Sequence, residues 1–323
     1  MVNTMTIQTA LEQARHVAID RFRGALVVLM VAGNFAAGVN AIPAFLKHAP
    51  DTGFTIADTV ASAFVFTIGL TYGPSFARRS AQAATGAYRH FIMRYLALIG
   101  IGAIITAGSN LAGMPSTWGV LQAIGVAGLI TLLFIRMPAW SRFVIGAVML
   151  VAYQWILDLG MRDAVLHTDH GGLFGSISWS ALLILATAVA DVWRRGTMRY
   201  AICCAVLVAA AGVSLLIVPV SKNRVSLSFI LVTLALSALV FFIVDSLSRL
   251  RAARSGLIAW WGENALALYV LHLLLLGAVV APAFTWWYVD APLWLAIIQL
   301  AVILGLLSVA AWWMHARGKS FRL

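Results

Sequence analysis

The sequence predicts an all-α fold: a polytopic integral membrane bundle of about ten transmembrane helices, with both termini in the cytoplasm. Three observations predict it. Of the 323 residues, 62% are hydrophobic and only 10% are charged, where a soluble domain carries about 25% charged residues. So few charges cannot cover a water-facing surface. The apolar residues also fall in continuous runs of roughly 20, the length that spans a hydrocarbon core. Such runs mean helices, because lipid forces each span to satisfy its own backbone and barrel strands would alternate. Finally, the basic residues divide unevenly between the two ends of these runs.

Spanning segments are placed at 23–42, 56–76, 91–109, 118–135, 140–157, 173–192, 200–219, 226–247, 257–280 and 292–314. With the N-terminus inside, one side holds 18 of the 22 Lys and Arg residues, from Arg15, Arg21 and Arg23 to Arg251, Arg254, Arg317, Lys319 and Arg322. The other side holds Lys47, Arg162, Lys222 and Arg224. Adding or removing one helix scrambles this partition, which supports ten. Only Arg136-Met137-Pro138 separates the fourth segment from the fifth. Residues 1–19 read as a polar cytoplasmic tail without the features of a signal peptide. Residues 20–316 read as the transmembrane domain and 317–323 as a cytoplasmic C-terminal tail. The linkers are short. One sizeable outer loop, residues 158–172, carries Asp158, Arg162, Asp163, His167, Asp169 and His170. It is either a solvated loop or one that touches a substrate.

The net charge of +11 does not indicate a nucleic-acid partner. The basic residues sit where topology puts them, without an aromatic-basic platform or zinc-finger spacing. Cys203 and Cys204 are adjacent in an apolar run. Adjacent helical cysteines are poor disulfide partners and too few for a metal site, so they read as filler and no metal is predicted.

Polar groups at membrane depth cost free energy unless partnered, so they mark candidate sites. Asp20, Arg23, Val27, Met30 and Asn34 recur on one face of the first helix. Asp20 and Arg23 are spaced to pair, or Arg23 snorkels. Asn34 either joins helices or acts chemically. In the outer turn that follows, Thr55 and Asp58 match a helix cap, and His48 is either an exposed loop histidine or a side chain placed for proton transfer near neutral pH. A second outer turn holds Lys222, Arg224, Ser226 and Ser228. Its basic residues run against the positive-inside bias, which is either topological noise or the mark of an anionic partner. Its serines suit helix caps. In the ninth segment Asn264, Leu268 and His272 form a stripe. Glu263 and His272 should face the interior, as a structural pair or as part of a site. No phosphate loop, His-Glu-x-x-His or Gly-x-Ser-x-Gly motif is present.

Taken in order, these blocks resemble the heparan-α-glucosaminide N-acetyltransferase family of transmembrane acyltransferases. The match begins with Asp20-Arg21-Phe22-Arg23-Gly24. It continues through Asn34, Lys47-His48-Ala49, Gly53-Phe54-Thr55, Asp58, Phe64-Val65-Phe66 and Gly69. Further matches are Trp118-Gly119-Val120-Leu121-Gln122, Gly171-Gly172-Leu173, residues 219–229, and Gly262-Glu263-Asn264 with Tyr269 and His272. The resemblance implies acetyl transfer from cytosolic acetyl-CoA to an amino sugar or other glycan across the membrane. It implies His48 as the catalytic histidine, with Asn34 in support. Asp20, Arg23, Asp58, Gln122, Lys222, Ser226, Ser228, Asn264 and His272 are then the donor- and acceptor-binding candidates. Asp51-Thr52 stands where the family usually has Trp-Asn, Ser62 replaces a usual proline, and Ala123 replaces an arginine. The changes at Asp51 and Ala123 bear on the acceptor and donor pockets and leave His48 and Asn34 untouched.

The expected partners are acyl-CoA, a glycan acceptor and membrane lipids; homodimerisation stays open. Short loops and an Ala-rich composition point to a bacterial inner (plasma) membrane, with the site toward its outer side. The competing readings are a transporter or flippase for a sugar or lipid-linked substrate, and a non-catalytic scaffold. Transport predicts inverted repeats and interrupted helices, neither of which is clear in the sequence.

Overall fold

A computed structural model describes residues 2–111, 116–250, 256–282 and 284–318, with side chains except at 2–16, 111 and 250. Arg251, Arg254, Lys319 and Arg322, and the side chain of Arg15, therefore lie outside the described residues. The described chain is all-α, with no strand. Its helices are α1 (Val2–Ala37), α2 (Ile56–Ser80), α3 (Ala84–Leu111), α4 (Val120–Phe134), α5 (Ala139–Ile156) and α6 (Arg162–Leu166). They continue with α7 (Gly172–Arg194), α8 (Thr197–Leu215), α9 (Leu227–Leu250), α10 (Leu257–Glu263), α11 (Ala265–Val280) and α12 (Leu293–Ala316).

Each of the ten expected segments is helical over most of its length. Among the described residues, seven helices are long and apolar enough to cross a bilayer, and α10–α11 makes an eighth if that bent pair is one span. Helix α4 is apolar but shorter, at 15 residues. Two of the spanning helices, α3 and α5 with its extension, bury only 22% of their apolar window. Side chains such as Ile104, Trp140, Trp155 and Leu216 point outward. Apolar surface this continuous is stable against lipid and not against water.

Three expectations change. The polar tail 1–19 is helical from Val2 and runs into α1; it holds no Gly or Pro to stop a helix. The outer loop 158–172 is not open. Residues 157–161 make a π turn, α6 follows, and a short 3-10 turn spans Asp169–Gly171. Gly160, at φ 122°, supplies a backbone angle that only glycine adopts without strain. The ninth segment is not one continuous helix: α10 and α11 meet at Asn264 with a bend of 93°.

The described residues form two compact units. One comprises α1, the chain to Ala49, Thr55–Val60 and the chain from Val240 onward. Here α1 packs along α10 at backbone distance. A Cβ on Gly262 would stand 1.9 Å from the Asp20 carbonyl oxygen, and one on Gly24 would stand 1.8 Å from that of Ile258. Two small residues thus let the helices touch, as in close-packed membrane helix pairs. Replacing Gly262 with Ala should overpack this contact by about 1–3 kcal/mol. Thermal unfolding in detergent should fall by roughly 5 °C. Gly277→Ala, where a Cβ meets nothing within 4 Å, is the control and should not destabilise.

The other unit comprises Pro50–Phe54 and Ala61–Leu239. Its centre is α7, mostly apolar and buried over 83% of its window, with Trp179 and Trp193 fully enclosed. Its buried Ser178 and Thr187 donate to backbone carbonyls, as polar groups inside a bundle must. Helices α4, α5 and α8 pack against it. Gly69 and Gly146 admit Ala186 and Leu185 of α7, and Gly128 admits the ring of Tyr95. Cys204 is buried here and Cys203 half-buried, both as free thiols.

Candidate active site

In the first unit, Asp58 does two jobs with one carboxylate. Its Oδ2 accepts the Thr55 backbone N–H and hydroxyl at 3.0 Å each, capping α2, and the Ala49 N–H at 3.2 Å. Its Oδ1 accepts from Nδ1 of His48 at 2.9 Å. The Asp58 side chain is fully enclosed, while His48 is 39% exposed. An ionised carboxylate only accepts, so the shared proton is assigned to Nδ1. In the neutral ring Nε2 then carries the lone pair. Of the two roles that the sequence left as alternatives for Asp58, the cap is present in the hydrogen bonds with Thr55.

A second polar pair lies on α1 and α11. His272 is buried and places Nδ1 against the Tyr269 carbonyl oxygen, also an obligate acceptor. Its Nε2 therefore accepts the Asn34 amide N–H at 3.0 Å. This geometry fixes the Asn34 amide with nitrogen toward His272, and its second N–H is left to act elsewhere. At this level α1 meets the start of α2: a Cβ on Gly33 would lie 4.0 Å from that of Ala57. The next residues along each helix are Asn34 and Asp58.

Below the bend, Arg23 donates to Asp20 and to the Gly262 carbonyl, both at 3.3 Å. The second bond satisfies a carbonyl that the end of α10 leaves without an intrahelical partner. Arg23 is thus engaged in holding the break. Asn264, buried at the bend, donates to the Trp260 carbonyl at 3.4 Å. Glu263 and His272 do not pair with each other. Glu263 accepts from His315 Nδ1 at 2.9 Å, and His315 stacks on Trp260 at 4.7 Å. Sequence reasoning passed over His315, because a histidine at the end of a last helix looks like an interfacial residue. It also passed over Tyr288, whose hydroxyl donates to the Phe35 carbonyl at 2.8 Å beside the end of α1.

Seven of the eleven candidates, Asp20, Arg23, Asn34, His48, Asp58, Asn264 and His272, are in this unit. The other four, Gln122, Lys222, Ser226 and Ser228, are in the second. There Gln122 caps α4, its Oε1 accepting the Gly119 N–H and, at 3.1 Å, the Thr106 hydroxyl. Ser226 caps α9: its Oγ accepts the Phe229 N–H at 3.3 Å and the Ser221 N–H at 3.1 Å. The Ser228 hydroxyl donates to the Pro219 carbonyl at 3.0 Å. Lys222 is half-buried in the same turn. The partner of Arg224 is Asp51, held through Nε at 3.1 Å and through Nη2. Asp51, one of the departures from the family pattern, is thus matched by a cation inside the chain.

Fold and site together define a membrane-embedded helical protein with an aspartate-oriented histidine and a histidine-oriented amide. Residues 15–170 match the model of the family described as heparan-alpha-glucosaminide N-acetyltransferase, catalytic. The match supports the resemblance carried by the motifs: a heparan-α-glucosaminide N-acetyltransferase-like family. No curated protein matches the chain.

Proposed function

We propose that this chain is a transmembrane acetyltransferase. It moves an acetyl group from cytosolic acetyl-CoA to the amine of an amino sugar, or to another glycan acceptor, at the outer face of a plasma membrane. The observation that carries this reading is the His48–Asp58 pair, a proton acceptor with its tautomer set by a buried carboxylate. Such a group serves acyl transfer directly. The acceptor nitrogen attacks the thioester carbonyl while His48 Nε2 takes its proton. The tetrahedral intermediate collapses, the C–S bond breaks, and the proton passes to the departing thiolate of CoA. Asn34, its amide aimed by His272, donates to the oxyanion. The family match supports the chemistry, and the Lys/Arg partition supports cytoplasmic termini and an outward His48.

The test is purified protein with acetyl-CoA and a panel of amino sugars, following free CoA and acetylated sugar by mass spectrometry. Sugar-dependent CoA release is expected. Asn34→Ala should lower kcat by about 10²–10³-fold, the usual cost of one oxyanion donor, in protein that purifies folded. Unchanged turnover removes Asn34 from the chemistry.

One observation favours the transport reading. The 93° break between α10 and α11 is the kind of interrupted span that builds transporter sites. Movement of an amino sugar into proteoliposomes without acetyl-CoA consumption is the result that would put transport first.

A further inference from the structure

Within the second unit, positive charge gathers at one end with little to answer it. From 59 to 157 the chain holds six arginines and no aspartate or glutamate. Asp191, the next acidic residue assigned to the cytoplasmic side, is taken by Arg142. The positive-inside bias accounts for arginines in these short loops. It does not account for the place of Arg94, which is inside a helix.

Arg79 is at the end of α2 and Arg94 is within α3. Aromatic rings lock these two helices together. Tyr72 stacks on Tyr95 at 5.6 Å, and Phe76 meets Tyr88 at 5.2 Å and Phe91 at 5.6 Å. The Tyr72 hydroxyl donates to the Gly128 carbonyl at 2.8 Å, which ties the pair to α4. The arginines are thus carried on a rigid frame. Arg94 lies about 25 Å along α3 from the outer end at Leu111, within a hydrocarbon core about 30 Å thick. A charge at that depth needs a partner.

No such partner is supplied by the described residues. Arg79 and Arg94 are both half-buried, and the Nε–H of each is enclosed without an acceptor. The guanidinium carbon of Arg94 is 5.8 Å from the centre of the Tyr95 ring, a contact that leaves the charge in place. His90, one turn before Arg94 and on the same face of α3, is close enough to both guanidiniums to feel their charge. Two guanidiniums and an imidazole therefore share one corner. Guanidinium forks match phosphate oxygens.

The surface beside this corner is built for lipid. Ile92, Met93 and Leu96 of α3 are exposed, and α3 buries only 22% of its apolar window. An anion bound here has acyl chains for neighbours. Basic pockets between spanning helices on the cytoplasmic side are where anionic headgroups settle. From this we infer that the α2–α3 corner binds an anionic phospholipid of the inner leaflet. Arg79 and Arg94 hold its phosphate, and its chains lie along Ile92, Met93 and Leu96.

The test is native mass spectrometry of the full-length protein in detergent, titrated with phosphatidylglycerol or phosphatidylcholine. Phosphatidylglycerol should bind about 25-fold more tightly, since each arginine contributes roughly 1 kcal/mol toward an anionic headgroup. Arg79→Gln and Arg94→Gln should each weaken it about 5-fold. Arg199→Gln, exposed at the start of α8, removes the same charge and should change nothing. Thermal unfolding in lipid-free detergent shows which variants are folded, and Arg79→Gln, at a helix end, is the variant to rely on if Arg94→Gln is not. Equal binding of the two lipids, or an Arg79→Gln protein that binds phosphatidylglycerol as the wild type does, would overturn the site. So would equal weakening by Arg199→Gln, which would mean a diffuse charge effect. Displacement of the lipid by free CoA or inorganic phosphate would assign the corner to a soluble phosphate instead.

Discussion

Replacing His48 with Ala is expected to cut sugar-dependent CoA release by about 10²–10⁴-fold, the usual contribution of a positioned acid–base group. The reasoning is geometric. Nδ1 is committed to the Asp58 carboxylate at 2.9 Å, and the ring is exposed enough for an acceptor to reach Nε2. No other described side chain is placed in the proton-transfer step, so the loss should be nearly complete. Because the ring is a hydrogen-bond partner of the enclosed Asp58 carboxylate, its loss should also lower stability by about 1–3 kcal/mol, so turnover is compared in protein shown to be folded. Added imidazole should restore part of the rate if Nε2 acts as a base. Parallel initial-rate lines in the wild type would instead assign Nε2 as the nucleophile that carries the acetyl group. A His48→Ala protein that turns over at the wild-type rate would remove the centre of the mechanism.

Asp58→Asn should be about as damaging, for a different reason. The asparagine oxygen can still accept the Thr55 N–H, so the cap on α2 survives. An amide nitrogen facing Nδ1 favours the tautomer with its proton on Nε2, which leaves no lone pair for the acceptor. The equivalent change in a Ser-His-Asp triad lowers kcat by about 10⁴ with the geometry intact, and a loss of about 10³–10⁴ is expected here. Asp58→Ala should add a stability loss of about 1 kcal/mol, from the missing cap. Comparing kcat and thermal unfolding for the two variants separates the roles. If Asn lowers stability as much as Ala while kcat holds, Asp58 is a cap alone.

Much of the site was legible because a membrane chain advertises its exceptions. Asn34, His48, Asp58 and His272 stand out among apolar residues, and Thr55 with Asp58 reads as a cap from spacing alone. The pairing of these residues was not legible. Glu263 and His272 are close in sequence and each finds another partner, His315 and Asn34, more than 50 and 230 positions away. The excess charge of Arg224 suggested an external anion, and Asp51 answers it from 173 positions away. Contacts at such separations leave no local pattern to read.

By itself the sequence determined the fold class, the helical segments and the residues that lipid would not tolerate. Those follow from composition and from runs of apolar residues, which act over one helix at a time. Tertiary structure decided where the ninth segment breaks. Gly262 and Asn264 weaken the helix there, but glycine and asparagine also occur inside unbroken helices of this chain, at Gly33 and Asn34 among others. The difference is the backbone of α1 pressed against Gly262 and the Arg23 guanidinium on its carbonyl. A helix end in lipid needs partners for its loose backbone groups, and here those partners come from the far end of the chain.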